Sequence, residues 1–161
     1  MQGDARSYRN VLAIAGEPTA EHIEKTAPAL ANKRSDINRV IALCGTKAPL
    51  AGLQVSGAAI TKARLDILRE ADAIVREFCD RTGFEQNVWQ FPVVLIPFGT
   101  RDARESVILR PINSVDGMTA DVVLMESQAL RELTNKLLEI PQICAVFYDL
   151  THKPPGTIEW E

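Results

Sequence analysis

The order of apolar and polar residues predicts β-strands in both halves of the chain. Apolar runs of strand length occur at residues 8–15, 37–43, 93–96, 106–110 and 145–150. Glycine, proline or short polar residues flank these runs, as is usual for strands. The second run is expected to end at Gly45.

Helical periodicity is clearest over residues 61–82, where apolar residues recur every three or four positions. Gly83 follows this segment as a natural C-terminal stop. A second helix is predicted over residues 126–141, with three leucines on one face. A further helix follows Thr19, which is placed to cap it, and Pro28 should kink or shorten that helix.

Strand, helix and strand follow one another in the same order in each half, which favours an internal duplication over coincidence. Asp4-Ala5-Arg6 precedes the first unit as Asp102-Ala103-Arg104 precedes the second. We predict an α+β fold of two similar small sheet-plus-helix subdomains, each sheet covered on one face by helices. The predicted boundaries are 1–45 for a β-α-β subdomain, 46–60 for a connector, and 61–161 for a helix, a β-β-α-β subdomain and a C-terminal tail.

Composition and charge restrict the class of protein. The 161 residues fit one domain or two small subdomains, and 46% apolar with 24% charged residues is typical of soluble globular proteins. The net charge of −3 argues against a general nucleic-acid binder. The three cysteines have neither zinc-ligand nor disulfide spacing, and no apolar run has the length of a membrane span. These features predict a cytoplasmic protein without nucleic-acid or membrane partners.

The sequence carries none of the usual catalytic signatures. A phosphate-binding glycine loop, GxSxG, HExxH and CxxC are all missing from it. His22 and His152 have no second ligand at metal-binding spacing. We therefore predict no catalytic residue and no metal site in this chain. An independent enzyme that uses Asp149 or His152 as acid or base is the weakest hypothesis, because nothing in the sequence positions a substrate beside them.

The strongest candidate for chemistry is the C-terminal tail, where Lys153 is followed by Pro154, Pro155 and Gly156. The prolines favour extended backbone, and the glycine lets a ligand or another strand approach the main chain closely. A lysine held by such a rigid segment is well placed to meet an anion. The alternative is a rigid turn leading to an edge strand over residues 157–160, which would only tie down the C-terminus.

Two further segments present polar side chains near strands. Arg6 lies in a turn at the start of the first strand. Gln90 lies between Trp89 and Phe91, where its amide could read the edge of a nucleotide base or satisfy the backbone. Local structure alone would also explain each of these residues.

Five segments together resemble the C-terminal domain of glutamine-hydrolysing GMP synthetase, in its two-subdomain form, across nearly the whole chain. They are GDARSY at 3–8, LDILREAD at 65–72, VWQ at 88–90, DGMTAD at 116–121 and YDLTHKPPGTIEWE at 148–161. The resemblance implies an enzyme in which a glutaminase domain releases ammonia and an ATP-pyrophosphatase domain adenylates xanthosine monophosphate (XMP). Ammonia then displaces AMP to give GMP, and the C-terminal domain contributes most of the XMP pocket.

The resemblance also implies a set of XMP-binding residues, which are Arg6, Gln90, Lys153, Gly156, Thr157, Ile158 and Glu159. Lys153 and Arg6 would bind the 5′-phosphate, which carries about −1.5 to −2 charges near neutral pH. Residues 156–158 would offer main-chain groups, and Ile158 has no hydroxyl that could add to them. Glu159 would accept a hydrogen bond from the ligand, and Gln90 would orient the nucleotide.

The resemblance implies partners outside this chain. The pyrophosphate loop SGGVDS and the glutaminase cysteine motif are missing from the sequence, so the chain alone should not make GMP. ATP and magnesium are implied for the full enzyme, and no cofactor is implied for this chain. XMP, the ATP-pyrophosphatase and glutaminase domains and a possible homodimer are the implied partners.

Two questions stay open at this point. The chain could instead be a stand-alone, non-catalytic nucleotide-binding or assembly module that partners a separate ATP-pyrophosphatase subunit. Its state as monomer or dimer is also open, because an internal duplication can bury within one chain the surface that a single-copy relative buries between subunits.

Overall fold

A computed structural model describes residues 9–160 of the chain. The strands are β1 (Asn10–Ile14), β2 (Ile37–Thr46), β3 (Gln54–Val55), β4 (Val93–Ile96), β5 (Phe98–Gly99), β6 (Glu105–Leu109), β7 (Ile112–Asn113), β8 (Asp121–Val122) and β9 (Ile143–Asp149). Five of them form the central sheet in the order β1-β2-β9-β6-β4, while β3 pairs with β5 and β7 pairs with β8.

The helices are α1 (Ala27–Lys33), α2 (Lys62–Thr82) and α3 (Ser127–Leu138), and a π-helical turn, His22–Thr26, precedes α1. The prediction for α2 is confirmed at both ends. The Thr61 hydroxyl accepts a hydrogen bond from the Arg64 main-chain N–H at 3.3 Å, and Gly83 ends the helix with a left-handed φ of 73°. Within residues 9–160, no helix combines the length and apolar character needed to cross a membrane.

The α+β class is confirmed, but the expectation of two small sheets is wrong. β1 and β2 pair in parallel around α1, and β6 and β9 pair in parallel around α3. β2 and β9 then pair antiparallel at the centre, which satisfies the backbone groups of both edges and joins the halves into one sheet. The order strand, helix, strand recurs, yet this does not show an internal duplication, and the predicted boundaries at 45 and 60 stay untested.

The core lies on both faces of this sheet. All three helices contribute to the larger buried cluster, together with alternate sheet residues such as Val40, Val107 and Tyr148. The opposite face is covered by loop and tail residues, among them Leu53 and Trp160, which pack near Ile108 and Phe147. The helices therefore pack on one face of the sheet, and the C-terminal tail packs on the other.

Two local expectations differ from the structure. β2 continues through Gly45 to Thr46, with a register shift between Leu43 and Gly45, so the predicted end of this strand is wrong. Pro28 does not shorten the helix after Thr19, because α1 runs on to Lys33, while a kink at Pro28 stays a prediction. Proline cannot donate the usual helical hydrogen bond, and a π-helical turn, His22–Thr26, ends two residues before it.

Candidate functional site

The C-terminal tail is joined to the loop that precedes β8. Lys153 donates its main-chain N–H to the carbonyl of Ala120 at 2.8 Å, and Ala120 donates back to Lys153 at 3.1 Å. The Lys153 ammonium donates to the carbonyl of Gly117 at 2.8 Å. The Ser114 hydroxyl accepts a hydrogen bond from the Gly117 N–H at 2.8 Å, which fixes the conformation of this loop. The DGMTAD segment and the tail therefore form one continuous structure.

Gln90 is attached to the same hairpin. The hairpin pairs Ile112 of β7 with Val122 of β8. Ile112 also donates to the Gln90 carbonyl at 2.9 Å and accepts from the Gln90 N–H at 3.2 Å. The Gln90 side chain is exposed, and only its main chain makes these bonds. A single hairpin thus connects two of the predicted site residues, Gln90 and Lys153, that are far apart in sequence.

A cleft of about 440 Å³ lies beside Gln90. Trp89 lines it and is 46% exposed. The charged side chains in its wall are Asp72, Arg76, Asp80 and Glu85. Because carboxylates outnumber the single arginine, this cleft is a poor place for a phosphate and suits an uncharged group such as a nucleobase better.

Arg6 and the whole segment 3–8 lie outside the described residues. The pairing of Arg6 with Lys153 around a phosphate therefore stays a prediction. The other predicted site residues, Gln90, Lys153 and residues 156–159, are all described.

A buried ionic cluster lies beneath the tail. Asp149 at the end of β9, Arg39 of β2 and Arg110 just after β6 are each 1% exposed or less. Asp149 Oδ2 accepts from Arg39 Nη1, Arg110 Nη1 and the Trp160 indole N–H, each at 2.8 Å. Asp149 Oδ1 accepts from the main-chain N–H of Thr151 at 2.8 Å. Both carboxylate oxygens are therefore occupied by protein donors.

Strand periodicity explains why these charges meet. Along β2, Val40 and Ala42 face the helices while Ile41 faces the other side, so Arg39 shares the face of Ile41. The same alternation places Asp149 on that face of β9, and β9 lies between β2 and β6. The cluster thus extends across the three central strands on the face without helices.

The two guanidinium groups hold the main chain of the tail. Arg39 Nη2 donates to the carbonyls of Thr157 at 3.1 Å and Glu159 at 2.7 Å, and to the Thr157 hydroxyl at 2.8 Å. Arg110 donates through Nη2 to the Thr157 carbonyl at 2.7 Å and through Nε to the Ile158 carbonyl at 3.1 Å. Three consecutive tail carbonyls therefore point at these arginines.

Gly156 is buried where the tail crosses Arg39. A Cβ at this position would lie 3.2 Å from Arg39 Nη1 and 3.3 Å from the His152 carbonyl. The side chain that approaches Gly156 closely is therefore Arg39 of the same protein. Close approach of a ligand to Gly156 stays a prediction. Pro154 and Pro155 form a turn and not an extended segment, and no strand forms over residues 157–160.

The Glu159 side chain is exposed, while its main chain is held by Arg39. No hydrogen bond or ion pair within residues 9–160 uses its carboxylate. The carboxylate therefore lies at the surface of the tail, and no donor among residues 9–160 occupies its oxygens.

The surroundings of Asp149 do not favour acid–base catalysis, and His152 contacts the strand β8. Asp149 is enclosed by four donors and balances buried cations, which is a structural role. His152 Nδ1 lies 3.3 Å from the Val122 main-chain nitrogen and 3.1 Å from Asp121 Oδ1. Among residues 9–160, no group of three or more histidines, cysteines or carboxylates is arranged to hold a metal ion.

Arg39 and Arg110 were not predicted as site residues. Each interrupts or ends an apolar strand pattern, INRVIAL or SVILR, where a charge is expensive to bury without a partner. Asp149 in the strand AVFYDL is the matching anion. These three exceptions to apolar patterning are a signal from which the cluster could have been inferred.

Comparison with known proteins relates the chain to a family. Residues 77–160 match the family model described as GMP synthase C terminal domain. A probable GMP synthase (glutamine-hydrolyzing) from Leptospira interrogans is 39% identical over 163 residues, covering 100% of this chain and 27% of the relative.

Two GMP synthases (glutamine-hydrolyzing) from other bacteria match part of the chain. The protein from Thermobifida fusca is 45% identical and covers 63% of this chain and 21% of its own length. The protein from Streptomyces coelicolor is 41% identical and covers 70% of this chain and 23% of its own length. The chain thus spans about a quarter of the length of the curated relatives that it matches.

Proposed function

The chain belongs to the GMP synthase C terminal domain family, and on that premise we propose that it supplies the XMP-binding part of a glutamine-hydrolysing GMP synthase. In the proposed reaction ATP transfers its AMP group to XMP and releases pyrophosphate, and ammonia from glutamine then displaces AMP to give GMP. The ATP-pyrophosphatase and glutaminase domains are the proposed partners, and ATP and magnesium act there. A cytoplasmic location is part of the same proposal.

The connection of Gln90 and Lys153 through one hairpin supports this proposal most directly. Lys153 supplies a cation for the 5′-phosphate, and Arg6 is proposed as the second. The exposed Gln90 amide carries both donors and an acceptor for the nucleotide, and Glu159 presents an acceptor. Main-chain groups of residues 156–158 complete the proposed XMP contacts.

Calorimetric titration of the 161-residue chain with XMP tests the proposal. Lys153→Ala should bind about 10- to 150-fold more weakly than wild type, because a hydrogen bond to a charged group contributes about 1.5–3 kcal/mol. Lys62→Ala removes an exposed lysine paired with Asp66 on α2 and should bind like wild type. A wild-type chain that does not bind XMP would refute the proposal, and unchanged affinity of Lys153→Ala would remove Lys153 from the phosphate site.

A stand-alone nucleotide-binding or assembly module, partnering a separate ATP-pyrophosphatase subunit, is the alternative function. The coding sequence upstream of Met1 distinguishes the two, since an in-frame SGGVDS loop there would exclude the alternative. Association into a homodimer is proposed as a further property, and sedimentation of the chain with and without XMP measures it.

A further inference from the structure

The direction of the tail carbonyls fixes the direction of the neighbouring N–H groups. The carbonyls of Thr157, Ile158 and Glu159 all accept hydrogen bonds from Arg39 or Arg110. The peptide bonds that follow these residues are trans. In a planar trans peptide the N–H points away from the carbonyl of the preceding residue. The N–H groups of Ile158, Glu159 and Trp160 therefore point away from the two buried guanidinium groups.

These three N–H groups have no acceptor within the described part of the chain. In the described part of the tail, the main-chain N–H groups that donate to main-chain carbonyls are those of Lys153 and Gly156. Residues 158–160 donate no such bond. Successive backbone N–H groups on one side of a bend form a concave site for anions and other acceptor oxygens. The chain bends at residues 158 and 159.

We propose that Arg39, Arg110 and Asp149 are positioning residues for nucleotide binding, an inference that rests on the proposed XMP site. The arginines turn the tail carbonyls inward, so that the N–H groups of Ile158, Glu159 and Trp160 face the acceptor oxygens of the bound nucleotide. Asp149 fixes both guanidinium groups by accepting from each at 2.8 Å. None of the three side chains needs to touch the ligand.

The cluster also assigns a role to the first half of the chain. Arg39 belongs to β2, whereas the tail follows β9 at the other end of the sequence. Arg39 additionally lies over the Trp160 ring at 5.4 Å from its centroid. The first β-α-β unit therefore completes the tail site, in addition to any role in association.

Substitution of Arg39 with two readouts tests this inference on the 161-residue chain. XMP affinity is measured by calorimetry, and tail position is measured by Trp160 fluorescence in a Trp89→Phe background, where Trp160 is the sole tryptophan. Arg39→Met removes the donors, Arg39→Lys keeps the cation beside Asp149, and Arg34→Met is the matched control at an exposed arginine paired with Asp36. Circular dichroism verifies that each variant is folded.

We expect Arg39→Met to shift Trp160 emission to the red. XMP affinity should fall by at least about tenfold, which is the loss expected when the ordered tail is populated about a tenth of the time. Arg39→Lys should fall between Arg39→Met and wild type, and Arg34→Met should match wild type. If Arg39→Met does not fold, the two readouts on Arg39→Lys decide.

Wild-type affinity in the folded Arg39 variants would overturn the positioning role while leaving the proposed function intact, provided that Lys153→Ala still weakens binding. Failure of the wild-type chain itself to bind XMP would overturn both. A red shift without loss of affinity would show that the cluster orders the tail but does not serve the nucleotide, and would equally overturn the inference.

Discussion

Arg39 of β2 and Arg110, just after β6, reach the same oxygen atom of Asp149, Oδ2, at 2.8 Å each, from the two sides of β9. All three side chains are almost fully buried. One carboxylate thus orients two guanidinium forks whose remaining donors extend to the C-terminal tail. The stability of the fold and the shape of the tail depend on the same few atoms.

Asp149→Asn should destabilise the chain strongly. The change removes a buried negative charge and leaves two buried cations, which typically costs about 3–5 kcal/mol. Urea unfolding followed by circular dichroism measures the loss. Asp66→Asn, at an exposed carboxylate paired with Lys62 and Arg69, is the control and should keep the wild-type midpoint. A loss below about 1 kcal/mol for Asp149→Asn would contradict the ionic role of this residue.

Gly45→Ala should be destabilising although it lies in a strand. An added Cβ would stand 2.7 Å from Cγ2 of Thr134 on α3, so the helix or the side chain must shift. Overpacking of this kind costs about 1–3 kcal/mol, measurable by urea unfolding. Gly57→Ala, with open space around the new Cβ, should change stability little. Adding Thr134→Ser to Gly45→Ala removes the clashing methyl and should recover part of the loss, and no recovery would point to another cause.

The stability of the chain should fall at alkaline pH, partly through Cys79. Burial, followed by the nearby charges of Glu85 and Asp80, raises the pKa of Cys79 to about 11 from 9.0. The folded state then holds its proton more tightly than the unfolded state, so this contribution is complete below pH 9 and is lost as pH rises through about 11. Urea unfolding at pH 7, 9 and 10.5 should show a decrease that is shallower in Cys79→Ala. Burial also raises the pKa of Cys44 and Tyr148, so the stability of Cys79→Ala should still decrease with pH, but less than that of wild type.

Gln90→Ala should weaken XMP binding without unfolding the chain. The side chain is exposed, and the bridge to Ile112 uses only main-chain groups, so the fold does not depend on the amide. Loss of one neutral hydrogen bond of about 0.5–1.5 kcal/mol corresponds to about 2- to 12-fold in affinity by calorimetry. Gln86→Ala, at an exposed position in the preceding turn, should bind as wild type does. Equal affinities for the two variants would remove Gln90 from the proposed site.

Local patterns predicted the helices and the five strands of the central sheet but not the short strands β3, β5, β7 and β8, and long-range contacts decided how the elements combine. The helix 61–82 was predictable because its cap at Thr61, its apolar stripe and its stop at Gly83 all lie within the segment itself. The course of β2 through Gly45 was not, because α3 approaches the strand there from more than eighty residues away in the sequence. The merger of both halves into one sheet likewise depends on the pairing of β2 with β9, which no local signal encodes.

Some features of the candidate site were likewise predictable from the sequence, and others were not. Lys153 and the tail were evident from the run KPPGTIEWE, and Gln90 from its place between aromatic residues. The bonds of the tail to Arg39 and Arg110 were not evident, since periodicity shows that these positions are buried but not which carbonyls their donors reach.

Arg39 precedes Thr157 by 118 residues and Glu159 by 120 in the sequence. Contacts of such long range form late, because the intervening chain must be ordered before they are made. During synthesis β2 is complete long before residues 157–159 are translated, so Arg39 cannot make these contacts until then. A premature stop between residues 150 and 157 would consequently leave β1 to β9 in the product but remove the carbonyls of residues 157–159 that Arg39 and Arg110 bind, and under the proposed function such a product would lose XMP binding.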